Sequence, residues 1–138
     1  MFELSPRLES DTDWVLDLQL SRVLMMDDSR YPWLILVPRL ANVREWLDLS
    51  SRDQALLLAE QLQVSRCLQT LVSPDKLNIA TLGNVVPQLH VHIVARFESD
   101  FAWPAPVWGR GESVRYSTDE KATLLDRYRS ALTATSVA

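Results

Sequence analysis

The sequence has few of the residues that most often carry chemistry or terminate regular structure: its 138 residues include two histidines, three glycines and one cysteine. The lone Cys67 excludes an intramolecular disulfide framework and a zinc site built from several cysteines. The longest apolar runs, such as Trp33–Pro38, are far shorter than the roughly 20 residues that a bilayer-spanning helix needs. Met1–Ser10 contains acidic residues and no apolar segment, so no signal peptide is predicted there.

The chain also lacks an excess of positive charge. Lys+Arg number 14 and Asp+Glu 18, which gives a net charge of −4 with no basic block. This balance disfavours a nucleic-acid polymer as a partner, because such binding depends on cations that neutralise phosphates. Hydrophobic residues make up 47%, enough to build a core. We therefore expect a single domain over residues 1–138, located in the cytoplasm, without a membrane as a partner.

The first part of the chain has the periodicity of strands. Within the range 14–26, the alternation of Leu16, Leu18 and Leu20 predicts a strand that is divided near Gln19. The polar stretch 27–30 predicts a turn, and the apolar run 33–37 predicts the next strand. These two strands around a turn predict a hairpin.

Two segments have helical spacing. Ser51 with Gln54 fits a capping box, and the helix it starts is expected to end before Pro74. Ser117 with Glu120 fits a second capping box, which predicts a helix up to residue 134. The apolar stripe expected on the first helix consists of Leu57, Leu58, Leu62, Val64, Leu68 and Leu71. With a further short strand over 76–80, the order of strands, helix, strands and helix predicts the α+β class with an antiparallel sheet.

The clearest strand signal is the near-strict alternation over residues 88–95. Residues two apart share one face of a strand, so Gln88, His90 and His92 are expected to project together. The two histidines should lie about 6–7 Å apart along the strand. The residues between them, Leu89, Val91 and Ile93, are expected to face the core.

The residues alone leave three interpretations of this histidine pair open. The pair could be half-exposed strand residues without a role. It could chelate a metal, although a third ligand would then have to come from an acid such as Asp27 or Glu98. It could also perform nucleophilic catalysis, in which one imidazole attacks and its neighbour positions or protonates the substrate.

The stretch over 83–96, GNVVPQLHVHIVAR, resembles the signature of the histidine triad (HIT) superfamily, in which histidines alternate with apolar residues. The run 33–39, an apolar strand that ends in Pro-Arg, resembles the strand before the first helix of that family. The similarity covers about residues 14–96, and the Trp/Pro-rich segment and helix over 100–134 follow it. It implies a HIT-like α+β fold, with a five-stranded antiparallel sheet and two main helices, and a homodimer that binds a nucleotide or dinucleotide.

The resemblance also implies an activity and a site. Many members cleave a phosphoanhydride or phosphoramidate at the α-phosphate through a covalent nucleotidyl-histidine, as hydrolases or nucleotidyl transferases. His90 would be the nucleophile and His92 the third member of the triad. No cofactor is required beyond a divalent cation carried with the nucleotide. The substrate-binding positions implied in this chain are Asn78, Gly83, Asn84 and Gln88.

Further residues allow two interpretations each. Arg96 could clamp a phosphate or be a solvated charge at the strand end. Trp108 could stack on a base or simply cover the core. Asp27 and Asp28 could approach a ribose, although a turn also accounts for them.

The sequence departs from the family pattern at two positions. Gln88 stands where the first histidine of the triad is expected, and Trp33 stands where hydrolysing members have an upstream histidine. A glutamine can donate and accept hydrogen bonds, but it cannot transfer a proton at neutral pH. The alternative function is therefore a catalytically weak nucleotide-binding module of HIT ancestry.

Overall fold

The computed structural model describes residues 1–134, so 135–138 of the expected domain lie outside the described residues. Its centre is one antiparallel sheet of five strands, as predicted. The strands are β1 (Thr12–Asp17), β2 (Ser21–Met26), β3 (Trp33–Pro38), β4 (Lys76–Ala80) and β5 (Val91–Arg96). Their spatial order is β1-β2-β3-β5-β4, which places β5 in the interior of the sheet and β4 at an edge.

The break between β1 and β2 lies where the sequence predicted it, and a buried carboxylate accounts for it. The backbone amides of Leu20 and Ser21 donate to the carboxylate of Glu60 at 2.8 and 3.0 Å. Glu60 is only 2% exposed. These amides are thereby satisfied without a strand partner, which allows the chain to turn from β1 into β2.

Three α-helices flank the sheet: α1 (Pro6–Asp11), α2 (Ser51–Val72) and α3 (Thr118–Ala134). The short α1 was not predicted. The cap of α2 is Ser50 rather than Ser51, because the Ser50 hydroxyl accepts from the Asp53 amide. The box at α3 is confirmed, with Ser117 Oγ accepting from Glu120 N at 3.2 Å. None of these described helices is long and apolar enough to cross a membrane.

The apolar stripe predicted for α2 is broader than the buried face. Leu57, Val64 and Leu68 are buried, whereas Leu58 and Leu62 are 49% and 45% exposed. Successive helix residues point about 100° apart, so Leu57 and Leu58 cannot both face the sheet.

The sheet is covered differently on its two sides. On one side, which we call the helix-covered face, α2 and α3 pack on strand residues such as Val23, Leu34, Leu36, Val91 and Ile93. On the other side, which we call the histidine face, Trp33, Ile35, Val37 and Val94 are buried beneath two segments. These are the N-terminal segment, 1–11, and the C-terminal segment, 97–117, which has no helix or strand.

The C-terminal segment is anchored to the turn between β2 and β3. The Asp27 carboxylate accepts from Tyr116 N at 2.9 Å, from Arg115 at 2.9 Å and from Lys121 at 3.0 Å. Burial opposes ionisation of Asp27, but these hydrogen bonds outweigh it and lower the pKa of the carboxyl below its usual value. Asp28 accepts from Val114 N and pairs with Arg30. Both carboxylates are thus engaged with groups of the protein itself, so a structural role accounts for Asp27 and Asp28 and no contact with a ribose is needed.

The strand predicted over 88–95 is shorter at its start and one residue longer at its end. Its ladder to β3 begins with the pair Leu36–Val91, and its ladder to β4 ends with the pair Ala80–His92. Residues 88–90 therefore precede the strand, and Leu89 N donates to Val43 O in a loop instead. Leu89, Val91 and Ile93 face the core as predicted.

Candidate active site

The two histidines lie side by side on the histidine face. His92 is in β5, opposite Ile35, and His90 immediately precedes the strand. Their ring centroids are 4.8 Å apart in an edge-to-face arrangement. They are 6% and 5% exposed, so the interpretation of the pair as half-exposed strand residues is wrong: both imidazoles are buried.

His90 is oriented by the backbone just before it. Its Nδ1 lies 2.6 Å from the carbonyl oxygen of Gln88. A carbonyl can only accept, so Nδ1 must carry the proton in this contact. The lone pair of the neutral ring is then on Nε2, which is the form that a nucleophilic imidazole requires.

His92 is enclosed by two indoles. Trp33 Nε1 donates to His92 Nδ1 at 3.0 Å, and the centroid of Trp108 lies 5.3 Å from that of the imidazole. Burial, assisted by repulsion from His90, lowers the pKa of His92 to about 3. His92 is therefore neutral at physiological pH. Trp108, a predicted substrate-binding residue, is indeed beside the pair.

The side chain of Gln88 serves the N-terminal segment. Its Oε1 accepts from Ser5 N, and its Nε2 donates to Glu3 O, both at 2.9 Å. The carboxamide thus pairs with the backbone much as a neighbouring strand would. This partner was missed from the sequence; the available signal was Pro6 directly after Ser5, a pattern typical of a helix start.

Two cavities lie next to Gln88. The larger, of about 470 Å³, is lined by the N-terminal segment, the loop 40–44 and residues 86–88. The smaller, of about 30 Å³, is lined by His90 and Gly83 among others. Arg44 and Gln88 line both cavities, so the two are neighbours. The smaller one has room for about one water molecule.

The structure places Arg96 and Asn78 together in an ion-pair cluster. Arg96 donates to Asn78 Oδ1 and Ala105 O at 2.8 Å each and forms two bonds to Asp100 at 2.8 and 3.0 Å. It is 1% exposed, so a solvated charge is the wrong interpretation. Its donors are engaged with the protein, and a phosphate would have to displace those partners.

The loop before the histidines positions only one of its two predicted residues at His90. Gly83 lines the small cavity and has φ 74°, a left-handed conformation that favours glycine. Asn84, the next residue, is exposed. Within residues 1–134, no group of three or more His, Cys, Asp or Glu side chains is arranged to hold a metal ion.

The chain is similar to known proteins in both sequence and fold. A family model described as the HIT domain matches residues 7–99. A histidine triad protein from Bradyrhizobium japonicum is 46% identical, with 95% of this chain and 98% of that chain covered and a TM-score of 0.93. Another from Marinobacter aquaeolei VT8 is 40% identical, with 99% of both chains covered and a TM-score of 0.95. A third from Sinorhizobium meliloti 1021 is 42% identical, with 94% and 96% covered and a TM-score of 0.92. No curated protein sequence matches the chain significantly.

Proposed function

The chain belongs to the histidine triad (HIT) family, and from this premise we propose that it is a nucleotide hydrolase or nucleotidyl transferase that acts at an α-phosphate. The observation that carries the proposal is the 2.6 Å contact of His90 Nδ1 with the Gln88 carbonyl. This contact leaves Nε2 with the lone pair, so the ring is ready to attack before substrate arrives. His92, the adjacent imidazole, would contact the phosphate or the leaving group.

The reaction has two displacements at phosphorus. In the first, the His90 Nε2 lone pair forms a bond to the α-phosphorus, and the bond to the leaving group breaks with its electron pair. In the second, water or another acceptor hydroxyl attacks phosphorus, and the N–P pair returns to Nε2 while the acceptor loses a proton. The Gln88 carbonyl stabilises the positive charge that the ring carries in the intermediate.

The larger cavity is the place for the nucleoside. Its volume of about 470 Å³ falls in the range of small-molecule sites, and through Arg44 and Gln88 it adjoins the small cavity at His90. A phosphate does not fit beside His90 in this closed arrangement. We expect the exposed loop around Gly83 and Asn84 to shift on binding, since Val85 within it is 72% exposed.

The test is turnover of labelled diadenosine polyphosphates and nucleoside phosphoramidates. His90→Ala and His90→Gln should each reduce kcat by at least about 10³-fold, because removal of a nucleophile eliminates the covalent route. A phosphohistidine should be trapped from the wild type under a quench that avoids acid. Equal inertness of the wild type and both variants across the panel would refute the enzymatic function.

A second candidate function is a nucleotide-binding module with little catalysis. It is favoured by the burial of both imidazoles and by the engagement of Gln88 with Glu3 and Ser5. Calorimetry separates the two functions: tight nucleotide binding without a trapped phosphohistidine supports the module.

We also propose a homodimer. The outer edge of β4 has no strand partner in the described chain, and Ile79 within it is 42% exposed. Leu58 and Leu62, one helical turn apart on α2, are exposed as well. Sedimentation of the wild type and of Leu62→Asp tests this: a dimer that the aspartate dissociates supports it. A cytoplasmic location and a divalent cation carried with the nucleotide remain predictions.

A further inference from the structure

The hydrogen bond between Trp33 and His92 fixes which nitrogen of His92 carries a proton. An indole N–H is a donor and has no lone pair to offer, so Trp33 Nε1 can only donate to an unprotonated nitrogen. At 3.0 Å this contact requires His92 Nδ1 to be the acceptor. The proton of the neutral ring is then on Nε2, and a doubly protonated ring would bring two N–H groups against each other.

The described residues around His92 supply no charge that would favour the protonated ring. Among the described residues that pack on it, β3 contributes Trp33, the C-terminal segment contributes Trp108, and β4 places Ala80 opposite. The titratable neighbour is His90, whose positive charge would oppose protonation of His92. His92 is therefore a neutral N–H donor, comparable to other neutral imidazoles that stabilise developing negative charge.

We propose that Trp33 makes the site selective for nucleoside phosphoanhydrides over phosphoramidates. This proposal rests on the proposed function and adds the class of leaving group. When the P–O bond of an anhydride breaks, the electron pair goes to the bridging oxygen, which leaves as a phosphate anion and needs no proton at neutral pH. Hydrogen bonding from His92 Nε2–H is enough to stabilise that oxygen.

A phosphoramidate has a different requirement. When its P–N bond breaks, the electron pair goes to nitrogen, and the amine must receive a proton as it leaves. A neutral imidazole that gave up its Nε2 proton would become an imidazolate, which is far too basic to form at neutral pH. Gln88, at the other triad position, cannot deliver a proton either. Trp33 is thus a positioning residue that acts through His92.

The first experiment compares two substrates with the same adenylyl half, diadenosine tetraphosphate and the phosphoramidate of AMP. The wild type should favour the anhydride in kcat/KM by about 100-fold or more, the usual contribution of general acid catalysis. Trp33→His allows His92 Nδ1 to be protonated, so this ratio should fall at least about tenfold near pH 6. Trp14→Phe replaces a half-exposed tryptophan of β1, outside the candidate site, and should leave the ratio unchanged.

The second experiment reads the proton directly, without substrate. Nitrogen NMR of the histidines should show Nδ1 of His92 unprotonated and Nε2 protonated between pH 5 and 8. Trp33→Phe should release this tautomer, whereas Trp108→Phe should retain it. A proton on Nδ1 in the wild type, or equal cleavage of both substrates, overturns the proposal. If neither substrate is cleaved, the proposed function fails with the substrate preference, while the NMR result still decides whether Trp33 holds His92.

Discussion

The two faces of the sheet are buried by different physical means. On the helix-covered face, α2 and α3 satisfy their own backbone hydrogen bonds and can cover the strands with apolar side chains alone. On the histidine face, the covering segments include irregular backbone whose polar groups need other partners. Side chains provide them: Asp100 accepts from Phe97 N and Trp103 N, and Gln88 pairs with Glu3 and Ser5.

This difference accounts for the position of the candidate active site. A helix covers a sheet with a regular surface, whereas an irregular segment can place single side chains against single strand residues. Trp108 reaches His92 from the C-terminal segment in this way. The candidate active site therefore lies on the face whose covering segments are held by specific polar contacts. On the other face, the packing of α2 and α3 keeps the strands that carry the site rigid.

The largest expected effect on stability comes from breaking the ion pair between Arg96 of β5 and Asp100 of the C-terminal segment. Arg96→Met leaves the Asp100 carboxylate buried without its cation, which should lower the free energy of unfolding by about 3–5 kcal/mol. Urea titration measures this loss. The double variant Arg96→Met/Asp100→Leu is the matched control, because removal of both charges should recover part of the loss. A loss below about 1 kcal/mol in the single variant would show that the pair does not hold the segment.

The same pair predicts an acid dependence of stability. Burial of Asp100 opposes its ionisation, but bonds from Arg96 and from the Phe97 and Trp103 amides outweigh it and lower the carboxyl pKa. Its stabilising contribution is therefore complete above the unfolded value of about 4 and is lost as the pH falls through the folded pKa. The wild type should lose this contribution on acidification, and Arg96→Met should show less of it.

The next largest effect on stability is expected on the helix-covered face. Leu57→Ala removes a fully buried side chain from α2 and should cost about 2–5 kcal/mol, because the cavity collapses only in part. Leu47→Ala, at a position that is 90% exposed, should change stability by less than about 0.5 kcal/mol. The tautomer of His92 should be the same in both variants, as read by nitrogen NMR. A changed tautomer in Leu57→Ala would mean that the two faces are not independent.

The smallest effect concerns the N-terminal segment. Gln88→Ala removes two hydrogen bonds and should make local opening of residues 1–5 easier by about 1–2 kcal/mol. Hydrogen exchange at the Ser5 amide measures this. Gln88→Glu is the matched variant, because it retains the acceptor for Ser5 N but cannot donate to Glu3 O, so its exchange should be intermediate. Unchanged exchange in both variants would contradict the anchoring role of Gln88.

Much of the fold could be predicted because its signals are local. The capping box at Ser117 and the apolar run over 33–37 each report on residues a few positions apart. The start of β5 could not be predicted in this way. Alternation continues back to Gln88, but the ladder depends on where β3 and β4 end, which is information from distant parts of the chain.

The same distinction between local and distant information applies to the candidate site. Alternation in the sequence alone predicted that the two histidines share one face, and this holds although His90 lies one residue before β5. Only the tertiary structure decided their states. The tautomer of His92 depends on Trp33, 59 residues away, and Trp108 of the C-terminal segment packs against its ring. Likewise, Arg96 is buried and bonded within the protein because folding brings Asn78, Asp100 and Ala105 to its guanidinium. The periodicity of the sequence predicts which face of a strand a side chain lies on. The proton and charge states of a buried group depend instead on its contacts, which folding brings together from distant positions.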